Sequence, residues 1–190
     1  MTMKNKFLLL AAIPLLLFAG CARHKVAREL KEFQASEIVV PSGLQQVHAR
    51  CISEYSGDGK TALLVNYYDS TDCSSCRIAH LVDLLDLYEL GDRHPEFQVL
   101  TIFSPADDRY DEVMAELMRN DFQYPVYVDY EGLFRKANPQ IPSDERFHSF
   151  LLDKNMRPVF VGNPAAGQEL WRLFMTVLDN MISNGGEYRE

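Results

Sequence analysis

The chain has 190 residues, of which 47% are apolar and 24% charged, and a formal net charge of −8. That length suits one domain with a sizeable core, and the composition is that of a globular protein rather than a disordered one. The acidic balance argues against nucleic acid and against a broad anionic membrane surface as partners. The four cysteines, at 21, 51, 73 and 76, contain one C-x-x-C pair. No second such pair and no H-x3–5-H accompanies it, so no zinc pattern is present.

In chain order, Lys4 and Lys6 precede an apolar run over residues 7–20 that stops at Cys21. The run is interrupted by Pro14 and falls short of the ~20 residues a membrane span needs, so residues 1–20 are expected to be a secretory signal. Phe18-Ala19-Gly20-Cys21 resembles the bacterial lipobox, in which the cysteine is lipidated and becomes the new N-terminus; Phe18 departs from the usual leucine. Cleavage there moves the formal charge to about −10. Residues 21–35 are expected to form a membrane-proximal tether with a short helix carrying Val26, Leu30 and Phe33 at helical spacing. The basic stretch over 22–28 lies where a lipid anchor would leave the membrane, and reads either as a headgroup contact or as a solvated tether.

The domain proper is expected over residues 36–184. Residues 37–40 predict a short strand ended by Pro41-Ser42-Gly43, and residues 48–54 a further one. Residues 62–68 predict a buried strand. A helix is predicted over 74–90, with Ile78, Leu81, Val82, Leu85 and Tyr88 inward and Gly91 as its stop. A strand follows over 97–103, an amphipathic helix over 108–121, a strand over 124–130 and a helical turn or two over 132–137. The turn at 153–156 joins strands 147–152 and 158–161 into an antiparallel hairpin, and a helix over 168–183 closes the chain. This order implies an α/β fold with a central mixed sheet flanked by helices, right-handed crossovers, and a C-terminal hairpin and helix.

Cys73-Ser74-Ser75-Cys76 is the chemical signal. Two cysteines three apart in the first turn of a helix can close a disulfide, and the unpaired N–H groups there favour thiolate over thiol. Arg77 acts in the same direction, whereas Asp69 and Asp72 oppose it if their carboxylates face the sulfur. The competing reading is a structural staple, but a bridge over so short a loop gains little chain entropy. Cys51, between apolar neighbours, is expected to be buried and inert.

The strand, C-x-x-C, helix order with a terminal hairpin and helix resembles the thioredoxin fold. In its exported setting the chain resembles the TlpA/ResA-type thiol–disulfide oxidoreductases, especially the thioredoxin-like lipoproteins of Bacteroides-type bacteria. Asn66, followed by two aromatics and then Cys73, is similar to that family's lead-in, and Phe150-Leu151-Leu152-Asp153 is similar to its late strand. Asp72 stands where the family has tryptophan, Ser74-Ser75 replace its proline or histidine, and Phe147 or His148 stands where a cis-proline faces the disulfide. A trans peptide is expected there, because a cis bond without proline costs ~2.5–4 kcal/mol.

The resemblance implies that Cys73 attacks and Cys76 resolves. It also implies a site lined by Asp72, Ser74, Ser75, Arg77, Phe147 and His148, protein thiols and disulfides as partners, and no cofactor beyond the redox-active disulfide. The implied location is a lipid anchor through Cys21 on the outer membrane, facing the periplasm. Two other readings stand beside it. One is a Sco-like copper protein using Cys73, Cys76 and His148, a thiolate-rich set suited to Cu(I), although the Sco spacing is C-x3-C. The other is a non-catalytic binding lipoprotein that kept the fold and lost turnover.

Overall fold

The structure, a computed structural model, describes residues 25–55, 57 and 59–189. The apolar run and Cys21 lie outside these residues, and with them the expected signal and lipidation site. No helix among the described residues is long and apolar enough to cross a membrane.

The run of apolar residues at β3 (Ala62–Tyr68) and the one at β4 (Phe97–Phe103) form parallel neighbours at the centre of the sheet. Both are covered on their two faces, which is why they read as nearly continuous hydrophobic strings. β4 continues in parallel to β5 (Val126–Val128), and β5 pairs antiparallel with β1 (Gln45–His48), which pairs with β2 (Cys51–Glu54). On the other side β3 pairs antiparallel with β6 (Ser149–Leu152), and β6 with β7 (Pro158–Val161), giving the order β2-β1-β5-β4-β3-β6-β7.

Helices α1 (25–34), α2 (Ser74–Ala79), α3 (Leu85–Arg93), α4 (Tyr110–Arg119), α5 (Leu133–Ala137) and α6 (Gln168–Ser183) cover the sheet. Alternation along the strands divides the core in two. Leu64, Val99 and Leu151 pack with residues of α3, α4 and α6 on one face. Leu63, Val65, Leu100 and Phe150 pack with Phe33 and Phe134 on the other. The end of α6 is closed by Gly186, at φ +86°, where a Cβ would meet Thr61 Cβ at 2.5 Å.

Several expectations need correction. The expected single helix over 74–90 is broken after Ala79: His80 leaves helical geometry, a 3-10 turn runs over Leu81–Leu84, and α3 starts at Leu85. With three residues per turn there, the apolar stripe shifts phase. Leu84 and Leu87 are buried, and Val82 is turned out at 58% exposure. Gly91 does not stop α3, which runs to Arg93 and ends before Pro95, whose ring pushes His94 into an extended conformation.

Residues 37–40 are not a strand. Val39 is paired by a side chain, its N–H donating to Asn138 Oδ1 at 2.8 Å and Asn138 Nδ2 donating back to its carbonyl at 2.7 Å, while the Ile38 N–H donates to the Met156 carbonyl at 2.8 Å. The expected strand over 48–54 is one arm and the turn of the β1–β2 hairpin, with Ala49 and Arg50 both at positive φ. β2 is the uncovered edge, so Cys51 is exposed rather than buried. The stretch expected to be tether is also packed in part: Phe33 is fully buried, with its ring edge-on to Phe150 at 5.1 Å.

Candidate functional site

β3 delivers the chain to the C-terminal edge of the sheet, where a carboxylate-capped turn redirects it into α2. Asp69 Oδ1 accepts from the Thr71 N–H at 2.8 Å and from Thr71 Oγ1 at 2.6 Å, and Asp72 Oδ2 accepts from the Asp69 N–H at 3.1 Å. Burial alone would raise the Asp69 carboxyl, but the Thr71 hydrogen bonds outweigh it and hold the group below the ordinary carboxylate range. The turn sets Cys73 at the N-cap of α2, with its sulfur accepting from the Cys76 N–H at 3.3 Å.

Cys73 and Cys76 are joined by a disulfide, their Cα atoms 5.3 Å apart. Both are exposed to solvent, while Ser74 is buried beneath them and Ser75 is half-buried. The pair is therefore reachable by a macromolecular thiol, as exchange requires.

Arg77 organises the charge around the disulfide. Its Nη2 lies 3.1 Å from Asp72 Oδ1 and 3.3 Å from Glu145 Oε2, and its guanidinium covers the Tyr68 ring at 5.2 Å. The Asp72 side chain is only 3% exposed, so the pair joins a buried carboxylate to a partly exposed guanidinium. Burial raises the Tyr68 phenol above its ordinary range despite the nearby Arg77 charge. Glu145 was not anticipated; it lies far along the chain from Arg77, in a turn whose charged residues carry no periodic signal.

Phe147 and His148 stand on the loop entering β6, and among the described residues there is no cis peptide bond. The Tyr67 N–H donates to the His148 carbonyl at 2.9 Å, so the loop extends the β3–β6 ladder by one bond. His148 is buried, its ring packed 5.4 Å from that of Tyr67, and its Nε2 meets the Pro142 carbonyl at 2.8 Å. Phe147 is half-buried with Arg146 over its ring. A copper site would need Cys73, Cys76 and His148 to converge; no group of three His, Cys, Asp or Glu side chains does so among the described residues.

Two concave regions meet at the Arg77 cluster. A shallow one holds the disulfide, with Thr71, His80 and Asp83 on its rim. A second cavity of about 360 Å³ shares Asp72, Arg77 and Glu145 with it, and Asn66, His148, Ser149 and Leu170 also line it. The pairing of Asn66 with Ser149, with Ser149 Oγ donating to Asn66 Oδ1 at 2.8 Å, was visible in the sequence only as a polar residue interrupting an apolar strand.

No protein-family model matches the chain, and no curated protein matches it. Solved structures do. A "putative protein disulfide isomerase" from Bacteroides thetaiotaomicron is 16% identical, with 78% of this chain and 91% of that one covered and a TM-score of 0.51. An uncharacterized thioredoxin-like protein from Porphyromonas gingivalis is 14% identical, over 79% and 94% of the two chains, with a TM-score of 0.50. A "putative Thiol:disulfide interchange protein DsbE" from Chlorobium tepidum is 16% identical, over 74% and 95%, also with a TM-score of 0.50. The chain has a thioredoxin-like fold.

Proposed function

We propose that this chain is an exported, lipid-anchored thiol–disulfide oxidoreductase that exchanges disulfides with protein partners through Cys73 and Cys76. The observation that carries the reading is an exposed disulfide at the start of a helix, on a thioredoxin-like fold. A buried or distant pair would have left only a scaffold.

In the reducing direction the Cys73 thiolate attacks one sulfur of a partner disulfide. A mixed disulfide forms, and the partner's other sulfur leaves as a thiolate that takes up a proton. The Cys76 sulfur, having lost its own proton, then attacks Cys73, freeing the second partner thiol and leaving Cys73–Cys76 oxidised. Two electrons and two protons pass to the partner, and no cofactor is required. In the oxidising direction the same steps run backwards. Anchoring would follow from lipidation of Cys21, where more than one acyl chain gives stable attachment.

The test is an insulin-reduction assay with dithiothreitol as electron source, comparing wild type with Cys73→Ser. Wild type is expected to accelerate reduction and the variant to be inactive, with Cys76→Ser accumulating a mixed disulfide with its partner. Equal rates for wild type and Cys73→Ser would overturn the enzyme reading. Mass spectrometry of the mature protein from membrane fractions, with Cys21→Ser as control, tests the anchor.

A further inference from the structure

α1 fixes where the chain enters the domain, and it enters at the end of the sheet that carries the disulfide. β3 runs from Ala62 to Tyr68 and hands on to the turn before Cys73. The Ile38 N–H donates to the Met156 carbonyl, in the turn beyond the opposite end of β3. Phe33 packs edge-on to Phe150, which pairs with Val65 in the middle of β3. From Val39 back towards the start of α1, the chain is flanked by the 138–143 segment running the other way. Asn138 pairs with Val39, Gln140 Nε2 donates to the Glu37 carbonyl at 3.0 Å, and Glu32 and Glu29 line one groove with Ile141, Pro142 and Ser143. That segment continues to Glu145 beside Arg77, and to His148, whose carbonyl accepts from the Tyr67 N–H. The heights agree. Lys25 precedes Phe33 by about 12 Å of helix, and Asp69 follows Val65 by about 13 Å of strand.

Cys21 stands only four residues before Lys25, a reach of about 14 Å when fully extended. With a lipid on Cys21, the end of the sheet held against the bilayer is the disulfide end. The far end, where Gly186 packs on Thr61, points away. The groove of the disulfide is lined by Asp72, Asp83 and Glu145 against Arg77 and His80. An acidic rim does not bind anionic headgroups, so the exposed sulfurs are left to a polypeptide rather than covered by lipid.

We infer that the anchored domain presents Cys73 and Cys76 towards its own membrane, and that its exchange partner is a membrane-held protein whose cysteines lie at that bilayer surface. The orientation rests on the lipid anchor proposed above, and the partner class on the redox reading; the placement of α1 rests on neither.

The experiment has two arms. The mature chain from Cys21, which contains every described residue, is prepared oxidised as Cys51→Ser, so that Cys21 is its one free thiol. It is coupled through Cys21 to a maleimide lipid in phosphatidylcholine vesicles, and residual maleimide is quenched. In the first arm, energy transfer to dansyl headgroups is read from Trp171, the sole tryptophan, which lies in the first turn of α6 next to Leu170 and the Arg77 cavity. The comparison is Trp171→Phe with Lys154→Trp, since the Lys154 N–H donates to the Gly186 carbonyl at the far end. Stronger quenching of Trp171 than of the tryptophan at position 154 is expected. Equal quenching, or the reverse order, overturns the orientation. In the second arm the coupled protein is reduced, freed of reductant and mixed with a pyridyl-disulfide headgroup lipid. Cys73 and Cys76 are oxidised to their disulfide, while pyridine-2-thione and the lipid thiol are released. A protein anchored at the far end, Cys21→Ser with Arg189→Cys, is compared, because Arg189 is bonded to Asn180 late in α6 and β3 sets its disulfide about 23 Å off the surface. The Cys21-anchored protein is expected to react about tenfold or more faster with the headgroup disulfide, and the two to react alike with soluble dipyridyl disulfide. Equal rates on the headgroup disulfide overturn the partner class. Failure in the insulin assay overturns the redox reading and the partner class with it, and leaves the orientation to the first arm. A natural Cys21 without lipid removes the anchor and overturns the inference, whatever the coupled protein shows.

Discussion

Removing the Arg77 charge should expose how this chain manages a buried carboxylate beside its disulfide. Asp72 is 3% exposed and Arg77 is 43% exposed, so the pair lies between two regimes. Breaking a fully buried pair costs ~3–5 kcal/mol, whereas exposed pairs are worth ~0.2–1 kcal/mol. Discounting for solvent at the guanidinium puts Arg77→Met at about 2 kcal/mol, with up to ~1 kcal/mol more from the lost contact with the Tyr68 face. The second partner, Glu145, is 65% exposed, so Glu145→Gln should cost under ~0.5 kcal/mol. Asp72→Asn keeps an oxygen for the Asp69 N–H, and combined with Arg77→Met it removes the stranded charge. The double variant should therefore be more stable than the sum of the two single losses predicts, by about 1–2 kcal/mol. Urea unfolding of the oxidised proteins reads all four corners of the cycle. A coupling below ~0.3 kcal/mol, or a Glu145→Gln loss as large as that of Arg77→Met, would refute the assignment of Asp72 as the partner that matters.

Phe33→Ala should cost about 3–5 kcal/mol in the same assay, because Phe33 is fully buried against Phe150; a loss within ~0.5 kcal/mol would mean that the segment before residue 36 is a free tether. Asn138→Ala should cost about 2 kcal/mol or more and raise hydrogen exchange at Val39, since one amide serves both backbone groups of that residue. At alkaline pH, burial pushes the Tyr67 phenol up to about 12, and burial raises Tyr88 as well. Because these folded values lie above the unfolded one, the associated stability is fully present below about pH 10 and is lost as pH rises towards 12. Tyrosinate absorbance should therefore show a fraction that appears only with unfolding, and reversible titration of every tyrosine in the native state would contradict this. In the reduced protein, Asp72→Asn should lower the Cys73 pKa, followed by thiolate absorbance, because it removes a neighbouring negative charge and frees Arg77 from one of its two carboxylate partners; an unchanged or raised value would show that this ion cluster does not act on the sulfur.

The parallel centre of the sheet was legible because β3 and β4 are buried on both faces and their residues say so. The hairpin and α6 were equally plain, with turn residues at 153–156 and a clean apolar stripe through Phe174, Val177 and Leu178. Periodicity failed where another constraint overrode it. The 3-10 turn at Leu81–Leu84 changes the residues-per-turn count inside what reads as one helix. The segment at 37–40 looks like a strand because of its run of β-branched residues, but its hydrogen bonds go to the Asn138 side chain at Val39 and to the Met156 carbonyl at Ile38 in place of a neighbouring strand. Cys51 looked buried from its sequence neighbours, and its exposure follows from sheet order, which a local window does not contain. At the site, the C-x-x-C pair and its position on α2 were legible. The link from Arg77 to Glu145, and the cavity behind it, depend on a loop that arrives from far along the chain.

Those missed residues bear on the chemistry more than the C-x-x-C spacing does. α2 is six residues long and ends at a break, so little helix dipole is aligned behind Cys73. The Arg77 charge that would compensate is held between two carboxylates. What directly supports negative charge on the Cys73 sulfur is the Cys76 N–H at 3.3 Å, a local donor that owes nothing to helix length. A sulfur stabilised mainly by one backbone N–H, beside an ion cluster with two acids and one base, keeps more thiol character than one facing a free arginine and a long helix. A less stable thiolate makes the disulfide harder to reduce, because the reduced form gains less from ionisation.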